Sequence, residues 1–219
     1  MTPEHIVFIP TVFLLGFLSG VLAVNRREGG LPVLLTLGIV VGVFGLTHLT
    51  SFPYGARALH NASGGLALFD QRPSFSASEV VARLDAFGPG VRSMYQRMTT
   101  TGDVLFPLSL LLFFVALARY ATARLSGGAA WRAALLTLPL AWFGTDMLEN
   151  SIIYALIAHF PSPEPLLAVS LAPVTVLKMC LLPLSLVAPL LAMGLGHRRR
   201  RHEETLAVSA GPDNQLGEA

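Results

Sequence analysis

The run RAALLTLPLAWFGTDMLENSIIYALIAHF, residues 132–160, is apolar along most of its length, yet it carries Asp146, Glu149 and Asn150 within one short stretch. A helix of roughly 20 apolar residues crosses a bilayer core of about 30 Å, so this segment is long enough to span. Its three polar residues fall at i, i+3 and i+4 and share one helix face. A lone charge at the bilayer centre costs about 2.5–3.5 kcal/mol on insertion scales, so the stretch predicts a partner elsewhere in the chain. Where that partner can lie depends on how many other segments span.

The whole chain has the composition of a membrane protein. It has 219 residues, is 53% hydrophobic and only 13% charged, and its mean hydropathy is +0.62. Soluble domains are charged at about one residue in four. Cys180 is the single cysteine, which excludes an intrachain disulfide and a cysteine zinc site. Among the 15 basic side chains Lys178 is the only lysine, and it lies inside an apolar segment.

Five stretches are long enough to span, at about 6–24, 31–50, 103–122, 132–160 and 165–196. The first has no basic residue ahead of it and Arg26-Arg27 behind it, the reverse of a secretory signal, and reads as a retained span. Arginine and lysine collect in cytoplasmic loops. Arg26 and Arg27 follow span 1, Arg119, Arg124 and Arg132 bracket the turn between spans 3 and 4, and Arg198 to Arg201 follow span 5. With five spans all three groups share one side. The expectation is therefore an all-α integral membrane protein with five transmembrane helices in the cell membrane, as in a bacterial inner membrane. The N-terminus is outside, the C-terminus is cytoplasmic, and an extracytoplasmic helical loop (51–102) joins spans 2 and 3.

Within that loop, Ser76 and Glu79 form a capping box, Phe75 is placed to staple onto Val80, and Val80, Val81, Leu84 and Phe87 share a face. This predicts a short helix at about 77–87, stopped by Gly88-Pro89-Gly90. A second, at about 91–100, has Val91, Met94, Tyr95 and Met98 at helical spacing. In spans 1 and 2, Gly16-x-x-x-Gly20 and Gly38-x-x-x-Gly42 are expected to let helix backbones approach closely. Residues 1–197 form the membrane domain. The tail, 198–219, is basic and then disordered from about 203. Its block Arg198, Arg199, Arg200 and Arg201 anchors the topology and reaches anionic lipid rather than nucleic acid.

Counting 1.5 Å per residue, Glu149 lies roughly 16 Å and Asp146 roughly 21 Å from the outer end of span 4, and Lys178 roughly 18 Å below the outer start of span 5. The acids and the lysine are at matching depth on consecutive antiparallel helices, so Asp146, Glu149, Asn150 and Lys178 are expected to form one buried polar cluster. Two carboxyls against one ammonium leave a negative excess, so one carboxyl is neutral or is offset by a bound cation or another base. Pro139, Pro173 and Pro183 lie within two helical turns of the cluster residues and free backbone carbonyls near the midplane. Asp103, Arg92 and Tyr95 are candidates for the mouth of the site. The histidines have no shared ligand spacing and Asp146-x-x-Glu149 lacks a histidine partner, so neither a metal nor a cofactor is expected.

The fragments LFDQRPSFSASEVVARL (68–84), Gly88…Arg92…Tyr95, GDVLFP (102–107), DMLEN (146–150) and Lys178 together resemble a group of small, uncharacterised polytopic membrane proteins. That group has a loop helix, a D-x-x-x-P span start, a D-x-x-E-N span and a lysine-bearing span. The resemblance covers about 68–185 and marks these residues as a set, but the group has no established activity to lend. Three functions stay open: a non-catalytic protein whose polar cluster fixes helices or binds lipid or a partner, a proton- or ion-coupled small-solute transporter using Asp146 and Glu149, and a membrane-embedded lipid-modifying enzyme with a carboxyl acid/base.

Overall fold

The computed structural model describes residues 29–53, 55–125 and 128–209; expected span 1 and the last ten residues lie outside them. The described residues contain helices and no strand. In chain order they are α1 (Gly30–Phe44), a π-helical turn (Gly45–Leu49), α2 (Ala56–Ala62), α3 (Ala77–Met98), α4 (Gly102–Thr122), α5 (Ala129–Ala158) and α6 (Pro165–Ser209).

Four long helices alternate in direction, and the contacts at their ends settle that order. Gly30 at the start of α1 lies against Tyr120 at the end of α4, while His48, just past α1, packs edge-on to Phe106 at the start of α4. Ala118, Leu135 and Ala192 meet where α4 ends, α5 begins and α6 has passed its midpoint. α4 is central and touches α1, α5 and α6; α5 and α6 share the largest interface. The two loop elements, the short α2 and the kinked α3, form a cap. Leu59, Leu68, Phe69, Val80, Leu84, Phe87, Tyr95 and Met98 of the cap make one core with Ile152, Ile153, Leu156 and Ile157 of α5 and Ala168 and Leu171 of α6.

Among the described residues three stretches are long and apolar enough to cross a membrane: Gly30–Leu49, the apolar part of Ala77–Thr122, and Pro165–Arg198. They fit a membrane location. Leu34, Leu35 and Val41 on α1 and Leu177, Leu191 and Leu195 on α6 are exposed, as lipid-facing side chains are. α5 is not among the three, because Asp146, Glu149 and Asn150 interrupt its apolar course.

Several local expectations are met and several are corrected. Ser76 caps α3 by accepting from the Glu79 N–H at 3.2 Å, but Glu79 Oε2 reaches back to the Phe75 N–H at 3.1 Å instead of to Ser76. Phe75 does not staple: it is 72% exposed, while Val80 turns into the cap core. The two expected loop helices are met: α3 is two helical segments joined at a kink at Gly88, whose non-helical φ of 68° suits glycine. Among the described residues a Cβ at Gly38 or Gly42 would meet nothing within 4 Å; Gly16, Gly20 and the rest of expected span 1 lie outside those residues. Close approach occurs at Gly55, where a Cβ would lie 2.3 Å from the Thr47 carbonyl oxygen, and at Gly196, 2.9 Å from that of Arg124. The tail is not disordered from 203: α6 runs on to Ser209. No glycine or proline lies between Gly196 and Gly211, and arginine, glutamate, leucine and alanine there are good helix formers.

Candidate functional site

α5 turns Asp146, Glu149 and Asn150 toward the interior at the end of the bundle that the cap covers. Glu149 is 0% and Asp146 6% exposed, and Asn150 is buried too. Lys178 of α6 lies between the two acids. Its Nζ donates to Glu149 Oε2 and stands 3.3 Å from Asp146 Oδ1. Thr175, three residues before Lys178 and so on the same face of α6, donates its hydroxyl to Glu149 Oε1, with the Leu171 carbonyl 3.0 Å away as its second acceptor. Both oxygens of Glu149 therefore have a donor on α6. Only one oxygen of Asp146 does: Oδ2 is buried and has no hydrogen-bond partner. One helical turn earlier, on the same face of α5, the buried indole N–H of Trp142 also lacks a partner.

The other helices close round this pair. Asn150 Nδ2 donates to the backbone carbonyl of Asp103 at 3.0 Å, which ties α5 to the first turn of α4. The Asp103 carboxyl is an electrostatic neighbour of Asp70, Asp146, Glu149 and Lys178. Tyr95 of α3 is wholly buried and its hydroxyl accepts from the Phe69 N–H at 3.0 Å. Burial, and after it the charges of Asp70 and Asp103, hold the Tyr95 phenol well above its ordinary pKa. It is thus a neutral post that seats the loop of residues 66–74 beneath the cap. Arg92 does not join the cluster. Its Nη1 donates to the Leu84 carbonyl at 2.7 Å, and its guanidinium lies 4.0 Å from the Phe160 ring centroid. The bend at Gly88 interrupts the helical ladder beside Leu84, and Arg92 takes up a carbonyl there.

Four participants were not singled out from sequence as members of the cluster: Asp70, Thr175, Trp142 and Arg83. Asp70 follows Leu68 and Phe69, both completely buried, so the apolar pair draws the acid inward. Its Oδ1 is buried without a hydrogen-bond partner. Burial raises the Asp70 pKa; Lys178 pulls it down, Glu149 pushes it up, and the backbone N–H groups of Asp70 and Gln71 lower it. Arg83 fixes the loop that carries Asp70. It donates to the carbonyls of Arg72 at 2.6 Å and Ala67 at 2.8 Å and to Ser74 Oγ at 2.5 Å, and it stacks 4.4 Å from the centroid of Phe69. A sequence signal for Thr175 was present in its three-residue offset from Lys178. For Asp70 the signal was weaker, an acid directly after a Leu-Phe pair in a loop.

A groove of about 260 Å³ opens on the cap between Leu66, Arg72, Glu79, Arg83 and Phe87. Arg83 is committed to the loop, and Arg72 lies 3.9 Å from Glu79. Among the described residues no three histidine, cysteine or acidic side chains are arranged to hold a metal ion. Comparison with protein-family models, curated proteins and solved structures gives no match.

Proposed function

We propose that this chain is a five-span integral membrane protein, N-terminus outside and C-terminus cytoplasmic, whose buried cluster has a non-catalytic role. The Glu149–Lys178–Asp146 unit locks α5 to α6 and makes the floor on which the extracytoplasmic cap sits. The supporting observation is that Glu149, with no exposed surface, has each carboxylate oxygen taken by a different donor on α6. Polar contacts across helices fix register where the surroundings, lipid or apolar side chains, are indifferent to sliding. The alternating direction of α1, α4, α5 and α6, preceded by span 1, agrees with the placement of the arginines on one side.

Two experiments test this. Reporter fusions after residues 60 and 205 are expected on opposite sides of the membrane, and finding both on one side overturns the topology. Glu149→Gln and Lys178→Met are expected to lower folded yield severely. Normal assembly of either sinks the locking role, because Lys178→Met leaves both acids buried without their ammonium and Glu149→Gln removes the carboxylate that both α6 donors hold.

A second reading, proton-coupled transport through Asp146 and Glu149, has one observation in its favour. Asp70, Asp103, Asp146 and Glu149 are electrostatic neighbours of Lys178, and that is more acid than one ammonium balances.

A further inference from the structure

We propose that Asp146 is an exchangeable proton-binding site, bridged by water to Trp142 and controlled from the cap by Asp70. The inference rests on the buried cluster read above, and it concerns the part of that cluster which the α5–α6 lock leaves unused.

Glu149 offers no free oxygen, since Thr175 and Lys178 hold both. A proton that comes and goes needs a buried oxygen that no protein donor holds, and Asp146 Oδ2 is one. Its neighbour one turn down the same face, the indole N–H of Trp142, is a buried donor without an acceptor. Unmet buried polar atoms are uncommon, and such atoms commonly hold an ordered water. A water donates to a carboxylate and accepts from an indole N–H, so one molecule satisfies both groups and gives the proton a carrier. Lys178, fixed on Glu149 and 3.3 Å from Asp146 Oδ1, supplies a positive charge that does not need to move. On the cap side, Asp70 Oδ1 is the other buried oxygen without a partner. The ionisable groups surrounding Asp146 are Asp70 on the loop, Asp103 on α4, Glu149 on α5 and Lys178 on α6, and Tyr95 on α3 neighbours Asp70, Asp103 and Glu149. Lys178 is the only base among these, so the cluster holds more acid than its one ammonium balances. Asp70 belongs to a loop held by side chains rather than by a helical ladder, which makes it the member best able to pass a proton to bulk water.

Trp131 is 68% exposed and Trp142 2%, and the chain has no other tryptophan. Trp131→Phe therefore leaves one reporter beside the site. The full chain carrying this change, in dodecylmaltoside micelles, is titrated between about pH 4 and about pH 9, a range that covers perturbed carboxyls. The expected result is one reversible step in Trp142 emission that disappears with Asp146→Asn and keeps its amplitude but moves its midpoint with Asp70→Asn. A second measurement does not depend on those variants folding. With 13C-carboxyl aspartate in the Trp131→Phe protein, the infrared carboxylic-acid band is expected to fade over the same pH interval as the emission step. Emission flat with pH in folded protein, a step that survives Asp146→Asn, or a step with no change in the labelled band overturns the site. A midpoint unmoved by Asp70→Asn overturns the role of Asp70. None of these outcomes bears on the α5–α6 lock, which is read from the assembly of the Glu149 and Lys178 variants.

Discussion

The two ends of the α5–α6 pair are joined by different physics. At the cap end a lysine, two acids and a threonine bond across the interface, with aromatic and aliphatic side chains of the cap closing over them. At the far end Ala118, Leu135 and Ala192 pack together and Gly196 rests on the Arg124 carbonyl, with bulk kept small so that backbones meet. Small-residue packing gains its stability from many weak contacts and tolerates modest error. The charged end has few strong contacts, and losing one strands its partner away from water.

The largest effect should come from breaking the charged end. Lys178→Met or Glu149→Gln is expected to cost about 3–5 kcal/mol, read as loss of folded protein on denaturant titration in detergent. Changing all three together, Asp146→Asn and Glu149→Leu with Lys178→Met, should recover much of that loss, because no unpaired buried charge is left in the unit. At the close-packed positions, Gly55→Ala and Gly196→Ala should cost about 1–3 kcal/mol, the former more, since its Cβ would come within 2.3 Å of a backbone oxygen that cannot swing aside. Tyr95→Phe removes the acceptor of the Phe69 N–H and should cost about 1–2 kcal/mol, seen as faster amide exchange across residues 66–74. Arg83→Lys should have a smaller effect at the same loop, about 1 kcal/mol, since a single ammonium cannot reproduce a planar fork bonded to three oxygens.

Asp70 sharpens the comparison through pH. Its pKa in the folded cap is raised above the ordinary 3.8 by burial. For an acid, that sign means the unfolded chain gives up its proton first. The cap is therefore most stable below the unfolded value and loses that contribution as pH rises toward the folded one. Asp70→Asn should leave cap exchange protection less dependent on pH and higher at neutral pH than in the unaltered chain. The far end, with no buried acid in its cluster, should not respond.

Much of the charged end was legible in the sequence, because helical geometry is regular. The i, i+3, i+4 spacing set one face, 1.5 Å per residue set the depth, and a single lysine in an apolar run left one candidate partner. The Ser76 cap and the break at Gly88 were legible for the same reason: both are decided within a few residues. The close approaches at Gly55 and Gly196 were not legible, because what faces a glycine is chosen by segments distant in sequence. Phe75 failed to staple because the cap core took Val80 first. Arg92 turned to Phe160 because the bend at Gly88 re-aimed it, and the bend's angle is not written in the residue types.

The sequence by itself determined the helical class, the membrane-like composition and the pairing of Lys178 with Asp146 and Glu149, since each follows from local periodicity and from the cost of an unpaired charge. Only the tertiary structure decided that Asp70 joins them, that Glu149 is fully bonded while Asp146 keeps an open oxygen, and that Trp142 stands beside it without a partner. Those facts depend on how a loop folds back over helices distant in sequence, and on differences of an ångström or two in where side-chain atoms come to rest.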